Sequence, residues 1–283
     1  MFPKHTVSEC KYRQDFVKRK IFNRFFGKNP IFVESETTAS DRPAESRICS
    51  AAPNVNPEER ETTQLNTEMK KLILTSVLLF AAAALFAQSE YNFQRRSLFE
   101  QLPLTSKDIV FLGNSITDGG EWYELLANPR VKNRGISGDR SSWMLDRLDP
   151  IVKGQPKKLF LLIGTNDLAA NASIEEIVAN VRKIVARFQS ESPRTKLYVQ
   201  SVFPVNDSFK KYAAKHGRHD ADIVAVNKGL QALCAEKGIV YIDLWTPLAD
   251  KNGKLRAELT NDGLHLMGEG YIVWRDAVLP YVK

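Results

Sequence analysis

The sequence predicts an α/β fold on a five-stranded parallel sheet, from three features of its C-terminal two-thirds. Short apolar, β-rich runs recur five times from Asp108 onward. Helical patterns separate them, and a polar cluster containing glycine follows each of the first three. Alternating strands and helices imply right-handed crossovers and a sheet covered on both faces. Strands buried on both faces read as near-continuous apolar runs, as these do.

The first run is Asp108–Leu112 (DIVFL), which leads into Gly113. Val131–Ile136 is a weaker second strand. Leu159–Ile163 (LFLLI) ends at Gly164, and Lys196–Val202 and Ile239–Leu244 complete the set. Between the third and fourth strands, Ile174, Ile177, Val178, Val181, Ile184, Val185 and Phe188 recur at helical spacing. Ser173 offers the N-cap, with Glu175 and Glu176 in the first turn beside the positive end of the helix dipole. Further helices are predicted over Ile223–Lys237 and Glu269–Val282. A long polar insertion, Val205–Asp222, follows the fourth strand.

The N-terminal part is of another kind. Met69 to Ala87 reads MKKLILTSVLLFAAAALFA, with two lysines, an apolar run and small residues at its end. That is the layout of a secretory signal peptide. Its apolar run from Leu72 is shorter than the roughly 20 residues that a spanning helix needs. Export to the periplasm or medium is expected, with cleavage near Ala87. No cysteine stands immediately after that point, which speaks against a lipoprotein anchor. Residues 1–68 are polar, with no sustained apolar period, and are expected to be disordered. They read either as an upstream extension from a misassigned start, with Met69 the true one, or as a cytoplasmic tail before a signal anchor.

Residues 88–283 suit one domain with a sizeable core. They hold 27 basic and 23 acidic residues, a net of +4. So mild a balance does not indicate a nucleic-acid partner. Cys234 is the single cysteine after residue 87, so this part forms no internal disulfide; it reads as a small buried hydrophobe. No G-x-G-x-x-G, phosphate loop or zinc signature occurs.

In open parallel sheets, ligands bind beyond the carboxyl ends of the strands. The polar clusters Gly113-Asn114-Ser115, Ser137-Gly138-Asp139 and Gly164-Thr165-Asn166-Asp167 all fall there. Ser115 at a sharp strand-to-helix turn can project its hydroxyl, although a capping serine reads the same way. A serine needs a base to become a nucleophile. Asp262 and His265, three apart in a turn, supply an imidazole and a carboxylate to hold its tautomer, or else a capped turn. Gly138 frees a backbone N–H for a developing oxyanion, and Asn166 offers a side-chain donor.

Taken together, GNSIT, NRGISGD, GTND and DGLH resemble the four blocks of the SGNH superfamily of GDSL-type esterases and lipases. Within it the chain looks most like the platelet-activating-factor acetylhydrolase catalytic-subunit group, which includes bacterial carbohydrate O-acetylesterases. The resemblance covers nearly all of residues 107–283. It implies a three-layer α/β/α sandwich with flavodoxin-like strand order and no metal or organic cofactor. It also implies that Ser115, Asp262 and His265 form the catalytic set, and that Ser115, Gly138 and Asn166 form the oxyanion hole. Asn114 departs from the family's aspartate, beside the nucleophile rather than within the catalytic set.

The activity so implied is hydrolysis of short acyl esters, acetyl above all, on small molecules or glycans. A lipase or lysophospholipase is the alternative within the superfamily, and a non-catalytic glycan-binding protein the alternative outside catalysis. The 205–222 insertion follows the fourth strand and should emerge on the same edge as Ser115 and Asn166; it is read as a substrate-selecting loop, with Phe209, Tyr212, His216 and His219 as sugar contacts, or else as a mobile, solvated connection. His216, His219, Asp220 and Asp222 lack tight ligand spacing and read as a solvated loop, not a metal site.

Overall fold

The computed structural model describes residues 69–73, 75 and 90–283, the last of these belonging to a compact unit over residues 62–283. The expectations for residues 1–68, and for most of the 69–87 segment, lie outside the described residues. Residues 69–73 are helical, and no described helix is long and apolar enough to cross a membrane.

Five strands form one parallel sheet: β1 Ile109–Gly113, β2 Val131–Gly135, β3 Lys158–Leu162, β4 Lys196–Gln200 and β5 Val240–Ile242. Their spatial order is β2-β1-β3-β4-β5, the flavodoxin-like order. The helices that matter for the site are α1 (90–101), α2 (Ser115–Asp118), α3 (Ser141–Leu145), α4 (Thr165–Ala169), α5 (Ile174–Glu191), α6 (Asp220–Lys237) and α7 (Gly268–Val282).

The two-residue period of the strands divides the core into two layers. Val110, Leu112, Leu159, Leu161, Leu197 and Val199 point to one face and pack with Ile177, Val181, Ile184 and Val185 of α5 and Val226 and Leu230 of α6. Phe111, Phe160 and Tyr198 point to the other. The parallel register places these three rings side by side, with centroids 4.7 and 4.6 Å apart. Trp274 of α7 closes that face, edge-on to Trp122 and Phe203. Helices on both faces of a buried sheet make the three-layer sandwich.

Helix α5 starts where the sequence reading places it, with Ser173 Oγ accepting the Glu176 N–H at 3.1 Å. The fourth strand ends two residues early. There the Val202 N–H donates to Asn227 Oδ1 and the Val202 carbonyl accepts from Asn227 Nδ2, so a side chain of α6 replaces the ladder. Cys234 is buried and free, and burial pushes its thiol up to about 11.

Candidate active site

The turn after β1 is built by Asn114. Its backbone is extended and its Oδ1 accepts the Ile116 N–H at 3.1 Å, capping α2. Ser115 is therefore the first helical residue, and its own N–H has no intrahelical acceptor. Its hydroxyl lies 3.0 Å from His265 Nε2.

His265 is set by the chain just before it. Asp262 Oδ1 accepts the Leu264 and His265 N–H groups at 3.0 and 2.8 Å, and Oδ2 lies 2.9 Å from His265 Nδ1. One carboxylate thus shapes the turn and fixes the imidazole. Gly263 makes that turn possible. Its φ is +84°, and a Cβ there would strike the Asn206 carbonyl oxygen. Burial pushes the Asp262 carboxyl up, but the hydrogen bonds from His265 and Leu264 outweigh it and leave the group below its ordinary range.

Gly138 sits in the turn after β2 with φ +79°. The turn is closed by the Asp139 N–H donating to the Ile136 carbonyl at 3.1 Å. Asn166, on the first turn of α4, donates from Nδ2 to the Asp139 carbonyl at 3.0 Å. The ends of β1, β2 and β3 therefore bring Ser115, Gly138 and Asn166 to one edge of the sheet, and the 262–265 turn brings His265 to Ser115. Such an arrangement can move a proton from a hydroxyl to an imidazole and offer N–H donors to a forming anion.

Beneath these groups lies a buried frame that the sequence reading does not include. The fully buried Asp139 carboxylate pairs with Arg147 at 2.6 Å. Arg147 also donates to the Arg134 and Gly113 carbonyls at 2.9 and 3.0 Å, tying the ends of β1 and β2 together. Burial pushes the Asp139 carboxyl up despite this arginine. Asp167 accepts the Ser141 hydroxyl and N–H, and burial raises its carboxyl to about 6. A lone buried ion pair carries no spacing signature, so no motif announces it.

The 205–222 insertion emerges at this same edge, as its place after β4 predicts, and it touches the catalytic groups directly. The Asn206 N–H donates to the Gly263 carbonyl at 2.8 Å. Tyr212 stands edge-on to both His265 and His216, with centroids 5.3 and 5.6 Å apart. His216 is not solvated: it is 8% exposed, and its Nε2 lies 3.3 Å from Asn166 Oδ1. Phe209 is half-buried beside Gly263. His219 pairs through Nδ1 with Asp222 at 2.6 Å, where α6 begins. Among the described residues, no group of three or more His, Cys, Asp or Glu side chains is placed to hold a metal ion.

Residues 111–273 match the model of the GDSL-like Lipase/Acylhydrolase family. The GDSL esterase/lipase WDL1 of Oryza sativa is 27% identical over 202 residues, covering 62% of this chain and 76% of its own length. The isoamyl acetate-hydrolyzing esterase of Saccharomyces cerevisiae is 22% identical over 194 residues, covering 62% and 82%. A solved structure from Streptococcus pneumonia, provisionally described as a platelet activating factor, superposes with a TM-score of 0.66 at 28% identity. It covers 74% of this chain and 99% of that one.

Proposed function

The chain belongs to the GDSL-like lipase/acylhydrolase family and is a carboxylic ester hydrolase; from that premise we propose that it works through a Ser115–His265–Asp262 triad on short acyl esters, acetyl esters of sugars among them. The observation that carries the mechanism is the chain of contacts from Ser115 Oγ through the His265 ring to Asp262, at 3.0 and 2.9 Å.

Ser115 Oγ attacks the ester carbonyl while its proton passes to His265 Nε2. Asp262 steadies the imidazolium and itself stays ionised. The carbonyl oxygen becomes an oxyanion that takes the Ser115 and Gly138 N–H groups and Asn166 Nδ2. The intermediate collapses, the C–O bond to the alcohol breaks, and His265 returns the proton to the leaving alkoxide. Water then gives a proton to His265 and attacks the acyl carbon; the acyl C–Oγ bond breaks, His265 passes the proton to Ser115 Oγ, and the acid leaves.

Two things support a short acyl group. The yeast relative is named for an acetate ester. The cavity beneath the turn, lined by Asn114, Ile116, Leu162, Val202, Phe203 and Leu264 among others, has a volume of about 10 Å³, room for about one water. The sugar alcohol and export through residues 69–87 rest on the sequence reading. Nitrophenyl esters of rising chain length, then acetylated sugars, test the substrate. Organophosphate labelling at Ser115 tests the mechanism, and an unlabelled Ser115 in active enzyme overturns it.

A further inference from the structure

The sequence reading makes His216 a sugar contact, yet its ring is buried. Its chemistry follows from the groups around Asn166. The Asp139 carbonyl only accepts, so the Asn166 atom facing it at 3.0 Å is the amide nitrogen. The other end of the amide, Oδ1, then faces His216 Nε2 at 3.3 Å. An amide oxygen only accepts, so Nε2 carries the proton. Nδ1 is left bare, buried and without a hydrogen-bond partner.

A buried imidazole with one unpaired nitrogen is a poor space-filler, since an apolar ring would pack there without that penalty. What the imidazole provides and a phenyl ring does not is the N–H toward Asn166. We propose that His216 is a positioning residue: with the Asp139 carbonyl it clamps the Asn166 amide in one flip state, leaving the second Nδ2 hydrogen aimed at the oxyanion. This rests on the reading of Asn166 as an oxyanion donor. Burial next to His265 lowers His216 to about 4, so the ring is a neutral, single-tautomer donor at neutral pH. The 205–222 insertion then acts on Asn166 through this hydrogen bond, and Tyr212 stands edge-on to the ring that makes it.

The test compares two substitutions that separate packing from donation. His216→Phe keeps a ring against Tyr212 and loses the N–H. His216→Gln keeps an N–H donor and loses the ring. Both are measured on nitrophenyl acetate, alone and combined with Asn166→Ala. His216→Phe is expected to lower kcat about tenfold at unchanged KM, less than removal of the donor itself. His216→Gln is expected to recover most of that loss. In the Asn166→Ala background His216→Phe changes kcat by less than about twofold, because the two residues act as one unit. If Asn166→Ala lowers kcat and His216→Phe adds its full effect on top, the positioning role is wrong while the oxyanion reading stands. If Asn166→Ala leaves kcat unchanged, the oxyanion reading fails and the clamp fails with it. A Gln variant no better than the Phe variant also overturns the clamp, since donation would then not matter.

Discussion

The Asp118 carboxylate accepts both the backbone N–H and the hydroxyl of Ser137, at 3.2 and 3.0 Å, and so holds the residue that precedes Gly138. Two residues of α1 converge on the same carboxylate, Tyr91 Oη at 2.8 Å and Arg95 Nη2 at 3.2 Å. Asp118 closes α2, which Ser115 opens. The turns that carry Ser115 and Gly138 therefore share one anchor, which α1 caps from outside.

Asp118→Ala is accordingly expected to loosen the Ser137–Gly138 turn. Turnover of nitrophenyl acetate should fall about tenfold with KM little changed, because a donor displaced from the oxyanion acts on the transition state. Tyr91→Phe, which removes one of four hydrogen bonds to that carboxylate, should cost less. Steady-state kinetics with a melting curve for each variant check this. An unchanged kcat in Asp118→Ala would show that the turn holds itself.

Replacing Ser115 with alanine should remove hydrolysis by on the order of 10⁴–10⁶ and abolish organophosphate labelling. The fold should survive, since among the described residues the Ser115 hydroxyl bonds only to the partly exposed His265 ring while the Asn114 cap and the buried β1 strand remain. Near-wild-type turnover in the verified variant would rule out the triad.

Asn166→Ala should lower kcat by roughly 10²–10³ at nearly constant KM, as loss of one oxyanion donor does. A rise in KM alone would make Asn166 a ground-state binding residue.

Strands β1 and β3 could be read directly because burial on both faces leaves no polar alternation to confuse the pattern. The Asp262-Gly263-Leu264-His265 turn was readable because its contacts are local, with the carboxylate reaching N–H groups two and three residues on. Helix α1 was not. Phe93 is 73% exposed and Leu98 46%, so its apolar residues form no clean stripe. It is held instead by Arg95 and Arg134 over the Phe99 ring and by polar contacts to Asp118 and Asp139. The Asp139–Arg147 pair and the His216–Asn166 contact join residues whose proximity exists only after the sheet has formed. The end of β4 moved for the same reason, since Asn227 competes for Val202 from another element.

The pH dependence of stability offers a test of the buried frame. Burial raises Asp167 to about 6, above the unfolded value near 3.9. Between these values the folded state binds the proton and the unfolded state does not, so this group's contribution to stability falls as pH rises and is constant above about pH 6. Asp167→Asn removes the titration while keeping an oxygen for Ser141. The melting temperature of the variant minus that of the parent should therefore climb from pH 4 to pH 6 and then level off. A difference that stays flat over that range would mean that Asp167 titrates as an ordinary carboxyl.

The last prediction concerns the acyl chain. Space behind the nucleophile is limited by Ile116, Leu162, Val202, Phe203 and Leu264, all nearly fully buried, around a cavity of about 10 Å³. That volume holds about one water molecule, whereas each added methylene of an acyl chain needs further apolar surface to bury. Beside the nucleophile, the Tyr212 ring stands edge-on to His265. A void of that size beneath the nucleophile turn takes no acyl chain, so the methylenes of a long chain gain little burial there. The acetyl nitrophenyl ester should have a kcat/KM at least about tenfold above that of the decanoyl ester, equivalent to about 1.4 kcal/mol of transition-state stabilisation. Leu264→Ala, which enlarges the cavity, should raise kcat/KM for the butanoyl and hexanoyl esters relative to the acetyl ester. Faster cleavage of the decanoyl ester by the parent enzyme would overturn the short-chain assignment and favour a lipase.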